Sequence, residues 1–292
     1  MRSIRPYASA TTQSPSLSIT PVSGSLGAII NDVDISQTLS PTTIAAIRAT
    51  FLDHGVIFFR QPKPLSPSAF LRFATCFGQP QRYPMVRGLD EHPEIIKVLK
   101  LRHETTNFGG IWHADTTYLP SPPLGTLLMA EEIPIRGGGD TLFANQYLAY
   151  ETLSTGLQQT LSNLRGVSTS SKADASKTRE DRIKDSAPSS APEVFSATHP
   201  AVRTHPETGR KSLYVNVAHT SHFDGWTEAE SAPLLKFLHE WQTKPEFTCR
   251  FKWEVGSLAF WDNRCVLHNP INDYQGEKRE MMRITLAGDV PV

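Results

Sequence analysis

Cysteine is scarce in this chain, with three residues, Cys76, Cys249 and Cys265, and no CxxC spacing. An odd, scattered set excludes a disulfide framework and a thiolate zinc site, and it fits a reducing compartment. Net charge is absent, because 29 basic residues balance 29 acidic ones. That balance removes the electrostatic basis for a nucleic-acid partner and points to a small-molecule ligand. No apolar run approaches the roughly 18 residues of a membrane span, and no Asn-x-Ser/Thr sequon occurs. The expectation is a soluble, cytoplasmic protein with no membrane partner.

Two common motifs are missing. Gly137-Gly138-Gly139 lacks the Gly-Lys-Ser/Thr ending of a phosphate loop, and His103-Glu104 meets Asn107 where a zinc helix of the HExxH type needs histidine. The first twenty residues lack any acid and carry two arginines among many Ser and Thr. They read as a disordered tail, with an organelle transit peptide as the other reading of the same composition. Residues 168–196 are rich in Ser, Ala and both charge signs. They hold too little apolar surface to offset an ordering cost of about 1 to 2 kcal/mol per residue, which predicts a mobile insertion, a lid or a surface loop.

Residues 21–292 read as one domain. Ser40-Pro41 and Ser66-Pro67 each combine an N-cap with a first-turn proline, so helices are expected from there to Gly55 and Gly78. Thr227 and Glu230 form a capping box before another amphipathic run. After Thr141 a helical pattern running to about Leu164 is expected to break near Gly156. The remainder is written in short strands: an early one within Leu26 to Ile35, then VIFFR (56–60), Ile95 to Leu101, a hairpin turning at Pro206 to Gly209, FTCRFKW (247–253), LAFW (258–261) and MMRITLAG (281–288). Many strands with helices gathered at the flanks favour a β-barrel or double-sheet sandwich.

One stretch carries chemistry. His113-Ala114-Asp115 lies in an extended-looking run, and side chains two apart on a strand share a face. Ten histidines and thirteen aspartates give about 0.4 His-x-Asp pairs by chance, and the chain has two. The other, His222-Phe223-Asp224, sits in polar turn-like surroundings and reads as an ordinary surface turn. A third ligand is available in His268, expected where a sheet element ends. Two histidines and one carboxylate are the ligand set of non-haem Fe(II) oxygenases. Arg279 and Arg283, four apart, share a strand face, and guanidinium forks suit anions.

The segments WHADTTYLPSPPLGTLLMAEEIPIRGGGDTLFAN, HPAVRTHPETGRKSLYVN and FWDNRCVLHNPINDYQGEKREMMRITLAGDVP resemble the TauD/TfdA family of Fe(II)- and 2-oxoglutarate-dependent dioxygenases, over about residues 20–292. The resemblance implies a mainly β fold with flanking helices and a double-stranded β-helix (jelly-roll) core. By position it implies Fe(II) ligands His113, Asp115 and His268, and 2-oxoglutarate contacts from Thr141 and Arg279. It also implies an anion contact from Arg283, a second from the Thr116 backbone N–H, and substrate positions at Gln81 and His219. The pocket departs from the taurine enzyme, with Gln81 in place of a histidine, Gly109 of an asparagine and His219 of a phenylalanine.

The implied reaction joins dioxygen, 2-oxoglutarate and a small anionic organic substrate such as a sulfonate or sulfate ester. It yields succinate, carbon dioxide and a hydroxylated or then cleaved product, with no acid or base beyond the iron centre. The same chemistry on a carboxylate or amino-acid-like intermediate of secondary metabolism is the alternative, and a non-catalytic binding protein on this fold is the reading from another class. Self-association into a homo-oligomer is implied as well.

Overall fold

Both Ser-Pro pairs open helices in the computed structural model, which describes residues 17–83, 86–172 and 194–292. Strand β1 (Ser18–Pro21) pairs with β2 (Ala28–Asn31), and α1 (Pro41–His54) and β3 (Val56–Arg60) follow. The Ser40 hydroxyl accepts from the Thr43 N–H, while Gly55, at φ 70°, ends α1 by donating to the Phe51 carbonyl. Helix α2 (Pro67–Thr75) is capped by Ser66 and closes at Cys76, before Gly78, through a tight bond from the Cys76 N–H to the Phe73 carbonyl. Then come β4 (Pro80–Gln81), β5 (Ile95–Lys100), β6 (Gly125–Glu132), β7 (Thr141–Asn145), α3 (Gln146–Glu151), α4 (Thr155–Leu161), β8 (Arg165–Thr169) and β9 (Ser196–Pro200). The chain finishes with β10 (Val202–Thr204), β11 (Lys211–Leu213), β12 (Thr220–Phe223), α5 (Glu228–Trp241), β13 (Thr248–Phe251), β14 (Ser257–Asp262), β15 (Val266–Pro270) and β16 (Arg279–Leu286).

The large sheet runs β1-β2-β3-β14-β6-β16-β4, with β5 also paired to β16. Its central strands alternate between two environments, as a period-two pattern requires. Leu127, Met129, Leu258, Phe260, Met282 and Ile284 pack against Ile47, Phe51, Phe70 and Phe73 of α1 and α2. Leu128, Ala130, Ala259, Trp261 and Met281 face the other way, onto Phe143, Phe251 and Val266 of the three-stranded sheet β13-β7-β15. Two sheets packed over one apolar interior, with helices on the outer face, form the expected jelly roll. Because β16 alternates, Arg279, Met281 and Arg283 all point into that interior, which explains two arginines in a buried strand.

Several boundaries differ from the sequence expectations. Strand β1 starts inside the tail expected over residues 1–20, since Ile19 and Thr20 find ladder partners in Ile30 and Ile29; residues 1–16 lie outside the described residues. The early strand is Ala28–Asn31 rather than all of Leu26 to Ile35. Both ends of the insertion expected at 168–196 are ladder, with Thr169 opposite Ser196, and 173–193 lies outside the described residues. Leu142 to Asn145, expected to be helical, is strand, and the helical stretch breaks at residues 152–154, close to Gly156 as expected. There Ser154 offers its hydroxyl to the Leu157 N–H and restarts the helix.

Candidate metal centre and anion pocket

His113 does not lie in a strand. It makes one isolated bridge, in which the His113 N–H donates to the His268 carbonyl (3.0 Å) and the His268 N–H returns to the His113 carbonyl (2.8 Å). His268 is held inside β15, opposite Phe143 of β7, rather than at the end of a sheet element. That bridge brings the two rings to 4.0 Å. After Asp115 the chain turns sharply at Thr116, whose φ of 43° is rare for a β-branched residue. Such strain persists only where packing over-determines it, and Thr116 is buried.

The ligand atoms of His113, Asp115 and His268 all lie within 4.8 Å of one another. Asp115 Oδ1 is 3.6 Å from His113 Nε2 and 3.7 Å from His268 Nε2. His113 Nδ1 lies 2.7 Å from the Ile111 carbonyl, an acceptor, so Nδ1–H donates there and Nε2 is the nitrogen that faces Asp115. Burial holds His268 well below the usual histidine range, so its ring is neutral. Burial would raise Asp115, but the Arg283 guanidinium beside it outweighs burial and holds the carboxyl well below the usual carboxylate range, so it stays ionised. The donor set therefore fits a divalent metal of the Fe(II) type. Gly109, at φ 70°, is needed beside it, since a Cβ there would stand 2.9 Å from His113 Cε1.

Arg279 is buried, and its Nε and Nη2 have no acceptor among the described residues. Its guanidinium lies 5.6 Å from the Trp253 ring centre, and Trp253 Nε1 donates to the Thr141 hydroxyl at 3.0 Å. A buried guanidinium with free donors is costly unless an anion completes it. Thr141 and Arg279 thus fit the carboxylate of 2-oxoglutarate, on an indole they share.

Arg283 Nη2 is 2.8 Å from Asp115 Oδ1, yet neither Nη2 nor Nε is aligned in a hydrogen bond. Its guanidinium lies 5.1 Å from the Tyr83 ring centre, and Tyr118 comes within hydrogen-bonding reach of the Tyr83 hydroxyl. Phe108 stacks edge-on to Tyr83, and Phe195 lies against Tyr118. Gln81 stands two residues from this pocket, exposed and paired with Thr285. From that segment it is Tyr83 that meets Arg283; the aromatic-before-proline at Tyr83-Pro84 was the available signal. His219 is buried, 5.0 Å from the Tyr118 ring, with Nδ1 3.0 Å from the Thr117 hydroxyl. Burial pushes it down to about 3, so it is a neutral polar wall.

The second His-x-Asp pair joins no such cluster. His222 lies in β12, not a turn, beside the Ser221 hydroxyl, and Asp224 is exposed. A further close group, His205, Asp262 and Cys265, is buried. There His205 Nδ1 accepts the Glu207 and Thr208 N–H groups and Nε2 donates to Asp262 at 3.0 Å, so neither nitrogen is left for a metal. Arg264 also forks onto Asp262 and makes this a structural clasp for the β10–β11 hairpin.

A jelly roll with two histidines and one carboxylate inside, and an unsatisfied arginine deep beside them, defines the class of 2-oxoglutarate-dependent iron dioxygenases. The family model of "Taurine catabolism dioxygenase TauD, TfdA family" matches residues 18–285, and the chain belongs to that family. It is 32% identical over 282 residues to an alpha-ketoglutarate-dependent sulfate ester dioxygenase of Pseudomonas putida, covering 94% of this chain and 91% of that one. It is 33% identical to an alkylsulfatase of Acinetobacter baylyi, over 94% of this chain and 86% of the other. The solved structure of a taurine dioxygenase from Burkholderia xenovorans superposes with a TM-score of 0.80 at 37% identity, covering 95% and 91% of the two chains. The protein is accordingly a 2-oxoglutarate-dependent dioxygenase that uses Fe(II) and takes a small-molecule substrate and O2. No helix among the described residues is long and apolar enough to cross a membrane.

Proposed function

We propose that this dioxygenase hydroxylates the carbon bearing the anionic group of a small sulfate ester or sulfonate, with His113, Asp115 and His268 holding the metal. The observation that carries the reading is Arg283, a buried guanidinium with unaligned donors beside the ligand carboxylate. Bound Fe(II), with 2-oxoglutarate, supplies the oxidation of a C–H bond by dioxygen. Thr141 and Arg279 orient the far carboxylate of 2-oxoglutarate. Arg283 and the Thr116 N–H grip the substrate anion, which sets its carbon near the metal; displacement by about 1 Å costs about a hundredfold in rate. Tyr83, Tyr118, Phe108 and His219 wall the site and exclude water.

For a sulfate ester the balance is complete: the C–H bond becomes C–OH, one oxygen atom goes to succinate, carbon dioxide leaves, and the hydroxylated carbon expels hydrogen sulfate to give an aldehyde. The similarity to the Pseudomonas and Acinetobacter proteins supports this choice of anion. The three scattered cysteines support a cytoplasmic site of action, the zero net charge one without a nucleic-acid partner, and the lack of a long apolar run one without a membrane partner; self-association into a homo-oligomer is part of the proposal.

Succinate release, screened over alkyl sulfates, alkanesulfonates, aryloxyacetates and amino acids, tests it. Alkyl sulfates or sulfonates are expected to raise release most, and a lead by aryloxyacetates or amino acids overturns the anion assignment. His113→Ala is expected to abolish release with Fe(II) added; wild-type release would sink the metal site.

A further inference from the structure

Asp115 has two carboxylate oxygens, and a closed loop of hydrogen bonds treats them differently. Asn263 follows β14 at the end of the buried inner face, and Thr126 lies on β6 opposite Trp261. The Asn263 Oδ1 accepts the Asp115 N–H at 3.2 Å and the Trp261 indole N–H at 3.1 Å. Two donors on that atom identify it as the oxygen and turn the amide nitrogen the other way. Nδ2 then donates to the Thr126 hydroxyl at 3.0 Å. A hydroxyl has one proton, and with its oxygen already accepting, Thr126 donates that proton to Asp115 Oδ2 at 2.6 Å. The circuit thus leaves Asp115 through its backbone and returns to its side chain. Asn263 and Thr126 are both 0% exposed, so water does not compete.

We infer that Thr126 and Asn263 are positioning residues that engage Asp115 Oδ2 and leave Oδ1 as the single ligand oxygen. The inference rests on the metal reading of His113, Asp115 and His268. Oδ1 is the oxygen that faces both histidine Nε2 atoms, at 3.6 and 3.7 Å. A carboxylate held this way cannot rotate to chelate through both oxygens, so more of the metal's coordination sphere stays open to small molecules. Hydrogen-bond partners that orient a ligand in this manner commonly matter 10- to 100-fold for metal affinity.

Co(II) is the probe, titrated into metal-stripped protein and followed by affinity and by its visible d–d absorption. Thr126→Val keeps the volume and removes the hydroxyl. Binding is expected to weaken about 10- to 100-fold, with a changed spectrum as Oδ2 becomes free to bind. Thr126→Ser keeps the hydroxyl and is expected to restore wild-type affinity and spectrum. If Thr126→Val binds Co(II) with wild-type affinity and spectrum, or if serine fails as valine does, the positioning role is overturned. Should Thr126→Val not fold, as judged by circular dichroism, Thr126→Ala, which only removes atoms, is read in its place. An Asp115→Ala control separates the two levels: undiminished Co(II) binding there would overturn the metal site itself, whatever Thr126 does.

Discussion

The guanidinium of Arg283 and the carboxylate of Asp115 approach to 2.8 Å through Oδ1, the oxygen that also faces the two ligand histidines. One atom therefore ties the proposed anion pocket to the candidate metal centre. The buried Asp115 stays ionised because Arg283 outweighs its desolvation, and Arg283 is in turn raised by Asp115 against its own burial.

Arg283→Lys keeps the charge and loses the planar fork. Because a point charge does not replace bidentate recognition, kcat/KM for an anionic substrate is expected to fall at least tenfold, with the KM for 2-oxoglutarate within about threefold of wild type. A parallel loss toward both molecules would show that the two arginines do not divide their labour. Steady-state kinetics with each varied in turn gives the answer.

Arg279→Ala should act on the other molecule. Losing a buried charged hydrogen bond costs about 2 to 5 kcal/mol, equivalent to at least about a 30-fold weaker grip on 2-oxoglutarate. Titration of the Fe(II)-2-oxoglutarate chromophore without substrate measures this directly, and an unchanged midpoint would remove Arg279 from the cosubstrate site.

Tyr83 and Gln81 separate the tertiary reading from the positional one. Tyr83→Phe removes a hydroxyl beside Arg283 and is expected to lower kcat/KM for the anionic substrate about tenfold, the worth of one hydrogen bond to a charged group. Gln81→Ala, on an exposed strand edge, is expected to stay within about twofold. The reverse order would restore the role that the linear alignment assigned to Gln81.

Acid should destabilise the fold from mildly low pH. Burial pushes His219 from the ordinary 6.5 down to about 3, and His239 down to about 4. Below 6.5 the unfolded chain binds protons that the folded chain refuses, so stability falls as pH drops from 6.5 toward 4 and is unaffected by these groups above 6.5. Between pH 6.5 and 5 each contributes a loss of about 1 to 2 kcal/mol. Thermal melting across this range measures it, and His239→Gln should flatten the slope; an identical slope in that variant would exclude His239.

The sequence alone determined what depends on near neighbours. Ser40, Ser66 and Thr227 announce their helices because an N-cap, a first-turn proline or a capping box acts within four residues. The spacing of His113 and Asp115 made them legible as two groups that could face one point, and the strand content pointed to a two-sheet core. Where local signals competed, the reading slipped: the helical pattern after Thr141 hid a strand, because β7 is stabilised by partners more than 100 residues away, Phe251 and Pro270 among them.

Only the tertiary structure decided which groups surround the ligands. Asn263 lies 148 residues from Asp115 and 137 from Thr126, and no local pattern relates them. Pairing of β14 with β6 brings Trp261 opposite Thr126, and the inward face of β16 buries Arg279 and Arg283 four residues apart. Tyr83 rather than Gln81 meets Arg283 for the same reason. Side-chain direction in a sheet is set by register, and register is a property of paired strands, not of either strand alone.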